Sequence, residues 1–397
     1  MPPRVVALLF SLAVISYFDR TVLSIAAPSI MREFGLGEVQ MGWVLSAFLW
    51  SYALCQIPGG RFADIHGPRK TLAAMAGGSG LFTALMAAGN SAGAFAALRL
   101  GFGVATAPLF PAVNRANASW SLPAQRSLVQ GLVASGAGLG SALSPLAVSW
   151  IVEKSGWRAA FVFAGALAMA AGWIWWRFAG DPPSAPPPEV ARGSWRALLG
   201  DKSLLLLTLG FTALDYYEYI FFYWIYYYLG EVRKIPPRES AVYTTILFLA
   251  WLVMAPLGGW AAARMSRAWG RKTGMRAAAM GSMAGSAVSL FVGVSSEDVT
   301  WAVVFISLAF GFAASADVNY WAATIDVMGA RAGAAGGVLN GGGNLGGAVG
   351  PVLTPMIASW FGWSAGLYFG AALALAGALI WLFIDFDKHD HPPATLH

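Results

Sequence analysis

Twelve stretches of the chain are apolar over a length that crosses a lipid bilayer: residues 5–27, 41–59, 71–89, 93–113, 127–152, 159–178, 203–229, 241–263, 275–295, 300–325, 333–359 and 364–384. About 20 apolar residues of helix span the hydrocarbon core, and a helix satisfies its own backbone hydrogen bonds there. The runs lack the alternating apolar–polar segments of a membrane barrel. The first run is not a secretory leader: it contains Asp19 and Arg20, has no small-residue cleavage site and is followed by eleven more. The expectation is an all-α membrane protein with twelve transmembrane helices. Only 11% of the residues are charged, where soluble domains carry about 25%. That excludes an ordinary cytosolic enzyme, and Cys55 as the single cysteine excludes a disulfide scaffold.

The net charge of +6 suggests nucleic acid until the basic residues are sorted by loop. With both termini cytoplasmic, the inner loops and ends hold 17 of the 25 lysines and arginines and the outer loops hold six. Arg20 and Arg99 lie within spans. This asymmetry is the positive-inside signature, so the charge reports topology and nucleic-acid binding is not expected. The reading is a multi-pass protein of the cell inner membrane, monomeric, with the lipid bilayer as its surroundings.

The one long polar stretch, 180–202, contains Asp181-Pro-Pro-Ser-Ala-Pro-Pro-Pro188 and reads as a semi-rigid linker. It falls after the sixth span. The chain therefore divides into an N-terminal six-helix half (1–179), a cytoplasmic Pro-rich linker (180–202), a C-terminal six-helix half (203–386) and a cytoplasmic tail (387–397). A weak internal echo supports the division. Gly60-x-x-x-Asp64-x-x-Gly67-x-Arg69-Lys70 follows span two, and Gly259 to Gly270-Arg271-Lys272 follows span eight, with Ala263 in place of the aspartate. Two such halves with binding between them is the plan of secondary transporters.

The first of these loops resembles the signature of the major facilitator superfamily. Within that superfamily the first half is similar to the anion:cation symporters, which include bacterial sugar-acid transporters and the vesicular glutamate and sialic acid carriers. The resemblance is carried by Tyr17-Phe18-Asp19-Arg20, by Ser46-Ala-Phe48-x-Trp50-x-Tyr52-x-x-x-Gln56-Ile-Pro58-Gly59-Gly60, by Phe110-Pro111-Ala112-x-Asn114-Arg115, by Gly156-Trp157-Arg158 and by Asn340-x-Gly342-x-Asn344. It implies the twelve-helix fold of that superfamily, a substrate anion met by the arginine at position 20 and proton coupling through the aspartate at position 19. In the loop, a small Gly60 lets helices approach, and Asp64 engages backbone N–H groups or basic partners across the seam between halves. Arg69 and Lys70 anchor to the cytoplasmic face. Gly60, Asp64, Gly67, Arg69 and Lys70 are the expected gating residues.

Ionisable side chains at the bilayer centre cost about 2.5–3.5 kcal/mol on insertion scales, so each is a functional candidate. The spans hold Asp19, Arg20, Arg99, Asp215, Glu218 and Asp317. Arg20 shares a helix face with Tyr17, and Tyr52 with Gln56, while Arg99, Gly103 and Thr106 share another. The family pattern has a glutamate where Thr106 stands, so one proton-carrying carboxylate of the family is missing. Span seven supplies Asp215 and Glu218, three apart and on one face. Two carboxylates that close do not both ionise easily in low dielectric, which suits a proton carrier. Asp317 and Trp321 form a similar face on span ten, and Asn340 and Asn344 lie four apart on span eleven.

The expected substrate-binding set is Tyr17, Arg20, Tyr52, Gln56, Arg99, Asn340, Asn344 and Trp321. The expected proton-coupling set is Asp19, Asp215, Glu218 and Asp317. No cofactor, metal site or catalytic residue is expected: all four histidines lie in loops or the tail, and no phosphate-cradling glycine loop is present. The resulting reading is a secondary active transporter, not an enzyme, moving a small organic anion of sugar-acid or carboxylate type by alternating access, with protons as the coupling ion. Two arginines against four acids within the spans leave open a zwitterionic or cationic substrate. A non-transporting membrane sensor is the third reading; the short loops and termini hold no signalling domain.

Overall fold

The computed structural model describes residues 1–120, 126–180, 198–328 and 332–386. Most of the proline-rich linker and the 387–397 tail lie outside the described residues. Those described are helical almost throughout, with no strand among them. The helices are α1 (Pro3–Phe34), α2 (Glu38–Leu85), α3 (Ala92–Thr106), α4 (Leu109–Trp120), α5 (Arg126–Phe178), α6 (Lys202–Tyr227), α7 (Pro237–Trp269), α8 (Arg271–Ser295), α9 (Val299–Met328), α10 (Ala332–Phe361) and α11 (Trp363–Ile380). The ends follow local chemistry. Ser91 caps α3 by accepting from the Ala94 N–H, and Asp201 caps α6 by accepting from the N–H groups of Ser203 and Leu204. Gly35 closes α1 in the left-handed conformation.

Among the described residues, nine helical segments are long and apolar enough to cross a membrane. Two of them, Glu38–Ala88 with 51 residues and Val129–Phe178 with 50, are far longer than one crossing needs. At 1.5 Å per residue each would extend about 75 Å, more than twice the hydrocarbon thickness of about 30 Å. Each is broken at one glycine: Gly67 (φ 76°, ψ 162°) in α2 and Gly156 (φ 81°, ψ 163°) in α5. Gly270 (φ 82°, ψ 154°) stands between α7 and α8, and Gly362 (φ 84°, ψ 160°) between α10 and α11. All four occupy a region of backbone space that is essentially closed to residues with a Cβ. The same corner thus recurs twice in each half of the sequence.

The chain packs as two compact units. One comprises Met1–Glu189, Phe221–Leu249 and Pro351–Ser359; the other comprises Val190–Ile220, Ala250–Gly350 and Trp360–His397. In the first, α1 runs along α5, and α2 packs on α3, α4 and α5. Gly136 and Gly140 of α5 lie against the backbone of Phe10 and Val14, so a side chain there would push α1 away. The second unit packs α8 on α9 and α11. Glycines of α10 lie on α6: Gly346 against the Thr212 carbonyl, Gly347 against the Tyr219 ring and Gly350 against the Tyr216 carbonyl. Large apolar side chains elsewhere face outward, Trp360 at 65% and Phe383 at 69% exposure among them, as lipid-facing surfaces require.

Candidate functional site

In the first unit, α1 carries Asp19 and Arg20, and α3 carries Arg99, all three buried. Asp19 Oδ2 accepts a hydrogen bond of 2.9 Å from the Thr83 hydroxyl of α2, while Oδ1 has no partner among the described residues. Arg99 lies within electrostatic reach of Asp19. The Arg20 guanidinium is 4.4 Å from the Tyr17 ring centroid, 4.6 Å from Tyr52 and 5.2 Å from Phe48. Arg99 lies 4.8 Å from the same Phe48 ring and 5.2 Å from Phe102. Phe48 therefore neighbours both guanidiniums, and its ring face offsets part of the cost of burying two like charges. Gly103, one turn from Arg99, lies against Ser51 and the Phe48 carbonyl and lets α3 approach α2 closely.

Arg99 is only 1% exposed, and its Nε and Nη2 atoms have no hydrogen-bond partner among the described residues. These two nitrogens form the side-on edge of the guanidinium, the edge that receives a carboxylate through two parallel bonds. The Tyr223 hydroxyl of α6, in the same unit, accepts a hydrogen bond from Arg99. Thr106, where the family pattern has a carboxylate, donates to the Phe102 carbonyl of its own helix. Its hydroxyl is engaged in the backbone and replaces no acid. Gln56 is half-buried further along α2 from Tyr52.

The second unit gathers the remaining acids. Carboxylate oxygens of Asp215, Glu218 and Asp317 all lie within 4.8 Å of one another. Asp215 and Glu218 come from one face of α6 and Asp317 from α9. Asp215 fits because position 343 is glycine; a Cβ there would run into its Oδ2. The Trp321 indole donates to Asp317, and Trp251 lies beside Glu218. Among the described residues this is the one group whose ligand atoms are close enough to share a cation. Asn344 lies nearby in sequence to Gly343, but its amide donates to the Asn340 carbonyl at 2.7 Å, within α10.

The signature loop folds around Gly67. Arg69 donates twice to the Trp176 carbonyl, at 2.8 and 3.1 Å, and stacks on the Trp176 ring, while the Trp175 indole donates to the Arg69 carbonyl. Arg69 thus fastens the second limb of α2 to the end of α5. Lys70 is exposed. Asp64 lies 3.8 Å from Arg115 of α4, a partner within its own unit. The expected close approach at Gly60 falls instead one residue earlier. A Cβ on Gly60 would meet Pro111 at an ordinary 3.6 Å, whereas one on Gly59 would press on Pro108 at 3.0 Å. Adjacent helix positions point about 100° apart, so only one of the two can face α4. In the second unit the ion pair uses another position of the loop: Arg271, directly after the Gly270 corner, makes a 2.6 Å ion pair with Asp326 of α9.

Two residues of the site carry no role in the sequence analysis, Thr83 and Tyr223, and Phe48 enters there only as part of a family motif. Thr83 had a signal, since it stands one turn beyond Ser79 on an otherwise apolar run. Tyr223 had none, because it lies in a row of aromatics.

The model of the Major Facilitator Superfamily matches residues 9–340 and 268–396. The chain is 30% identical over 341 residues to the probable sulfoacetate transporter of Cupriavidus necator, covering 81% of this chain and 79% of that one. It is 28% identical to the hexuronate transporter of Bacillus subtilis, over 82% and 80% of the two chains. A crystal structure of a bacterial homologue of the human lysosomal transporter Spinster, inward-facing and occupied, superposes with a TM-score of 0.84 over 99% of this chain and 100% of that one, at 17% identity. With that shared fold and those matches, the chain belongs to the Major Facilitator Superfamily.

Proposed function

We propose that the protein is a secondary active transporter of a small organic anion, driven by proton symport through alternating access. The observation that carries this reading is the side-on edge of Arg99: two buried nitrogen donors without a hydrogen-bond partner among the described residues. Burying such donors unsatisfied costs about 1–3 kcal/mol or more, and an anionic group with two oxygens removes that cost. The named transport of a sulfonate–carboxylate and of hexuronates by the two relatives supports the same substrate class. Arg20, with Tyr17 and Tyr52, supplies a second positive surface.

Proton carriage falls to Asp19 and to the cluster of Asp215, Glu218 and Asp317, which stand in for the carboxylate missing at Thr106. Carboxylates this close share protons more readily than they all ionise, so the cluster takes up and releases protons as its surroundings change. The reading includes twelve crossings of the cell inner membrane, both termini cytoplasmic, and a monomer. Asp64, Gly67, Arg69 and their neighbours act as the gate. The crowding of three acids within 4.8 Å favours one alternative, a substrate that also carries an ammonium group. Uptake into proteoliposomes separates the two readings. The panel contains sulfoacetate, hexuronates, dicarboxylates, amino acids and amines, with and without an inward proton gradient. Gradient-stimulated uptake confined to anions supports symport of an organic anion; uptake confined to amines or zwitterions overturns it.

A further inference from the structure

Tyr223 is a buried α6 residue whose hydroxyl accepts from the Arg99 guanidinium, and Arg20 is also within its electrostatic reach. A guanidinium is planar, so two constraints fix it: what lies over its faces and what binds its edges. Phe48 and Phe102 lie 4.8 and 5.2 Å from Arg99 and supply the first. Tyr223 supplies the second on one edge. Nε and Nη2, without a partner among the described residues, are the edge left over. A hydrogen bond in a dry interior is directional, and one accepted on one edge sets where the opposite edge points.

We propose that Tyr223 is the positioning residue of the anion site: its hydroxyl orients Arg99 so that the Nε/Nη2 edge is presented to an arriving carboxylate or sulfonate. This rests on the anion reading of Arg99. The phenol touches the guanidinium and not the anion, so it acts on affinity through Arg99. Without the hydroxyl the guanidinium turns between orientations, and the two-bond geometry is populated only part of the time. Tyr223 stands five residues after Glu218 on α6. The helix that bears two of the clustered acids therefore also sets the orientation of the anion-binding arginine.

The test is a double-mutant cycle on the full chain in detergent, reading equilibrium binding of sulfoacetate and of a hexuronate. Tyr223→Phe removes one oxygen and weakens binding about tenfold, the range expected for loss of a hydrogen bond to a charged group. Arg99→Lys, which has no fork to orient, weakens it further. The double variant binds no more weakly than Arg99→Lys alone. A merely structural role for the ring gives additive losses instead, and additive losses overturn the proposal. Wild-type or tighter affinity in Tyr223→Phe, with Arg99→Lys impaired, also overturns it while leaving the anion reading intact. If Arg99→Lys binds as the wild type does, the anion reading itself falls and the proposal with it. Should Tyr223→Phe fail to run as a single folded species on gel filtration, Tyr223→Leu keeps an apolar side chain without an acceptor and the same cycle is read.

Discussion

The four corner glycines make a prediction in which one chemical change has opposite signs at different places. An alanine Cβ built on Gly67, Gly156, Gly270 or Gly362 meets no atom within 4 Å. A loss of stability at these sites therefore cannot come from a steric clash with a neighbour. It comes from the backbone alone: φ lies between 76° and 84° with an extended ψ, and holding a residue with a Cβ there costs about 1–3 kcal/mol. Gly77 in α2 and Gly281 in α8 are the internal controls. They also have nothing within 4 Å, but lie inside helices. Alanine there removes conformational freedom from the unfolded chain and stabilises by about 0.5–1 kcal/mol. The assay is thermal unfolding of each glycine-to-alanine variant in one detergent, followed by tryptophan fluorescence. The corner variants should melt below the wild type and the helix variants at or above it. Corner variants that melt with the wild type would refute the argument, since no other interaction is available to offset the strain.

Two further outcomes follow. Asp215→Asn and Glu218→Gln should each reduce gradient-driven uptake while counterflow survives, because exchange of loaded carrier needs no net proton movement. Uptake that stays at wild-type level in both would remove the cluster from coupling. Asp64→Asn and Asp326→Asn, which act on the pairs with Arg115 and Arg271, should slow interconversion between inward- and outward-open states without weakening substrate affinity. An equal loss of affinity in a binding assay would place them in the site instead.

Much of this was legible in the chain. Runs of about 20 apolar residues have one physical use, so the helices could be expected from length and hydropathy alone. Arg99, Asp19 and the acids of span seven stood out because a charge in a membrane is costly wherever it is placed. Bringing Asp317 to Asp215 and Glu218 required the packing of α9 beside α6, which no spacing along the chain encodes. The tighter approach at Gly59 than at Gly60 is hidden for a similar reason: which of two adjacent glycines faces α4 depends on how the helices cross. Gly156-Trp157 resembles a family motif, yet Gly362-Trp363 repeats it with nearly the same backbone angles. Its role shows in the fold: the Trp157 indole and Arg158 both donate to Glu33 and bind the second limb of α5 to the end of α1. Tyr223 was invisible because burial and function leave the same mark on an aromatic run.

The central claim is that Arg99 receives the anion, and equilibrium binding by the purified full-length protein tests it most directly. Arg99→Ala removes a buried, two-bond charged partner, a change that costs about 2–5 kcal/mol, or about thirtyfold or more in Kd. The measurement is the affinity of wild type and Arg99→Ala for the anion that uptake selects, with melting temperature showing that the variant is folded. The expected result is a folded variant whose affinity falls by that factor or beyond detection. A folded Arg99→Ala that binds the anion as tightly as the wild type contradicts it.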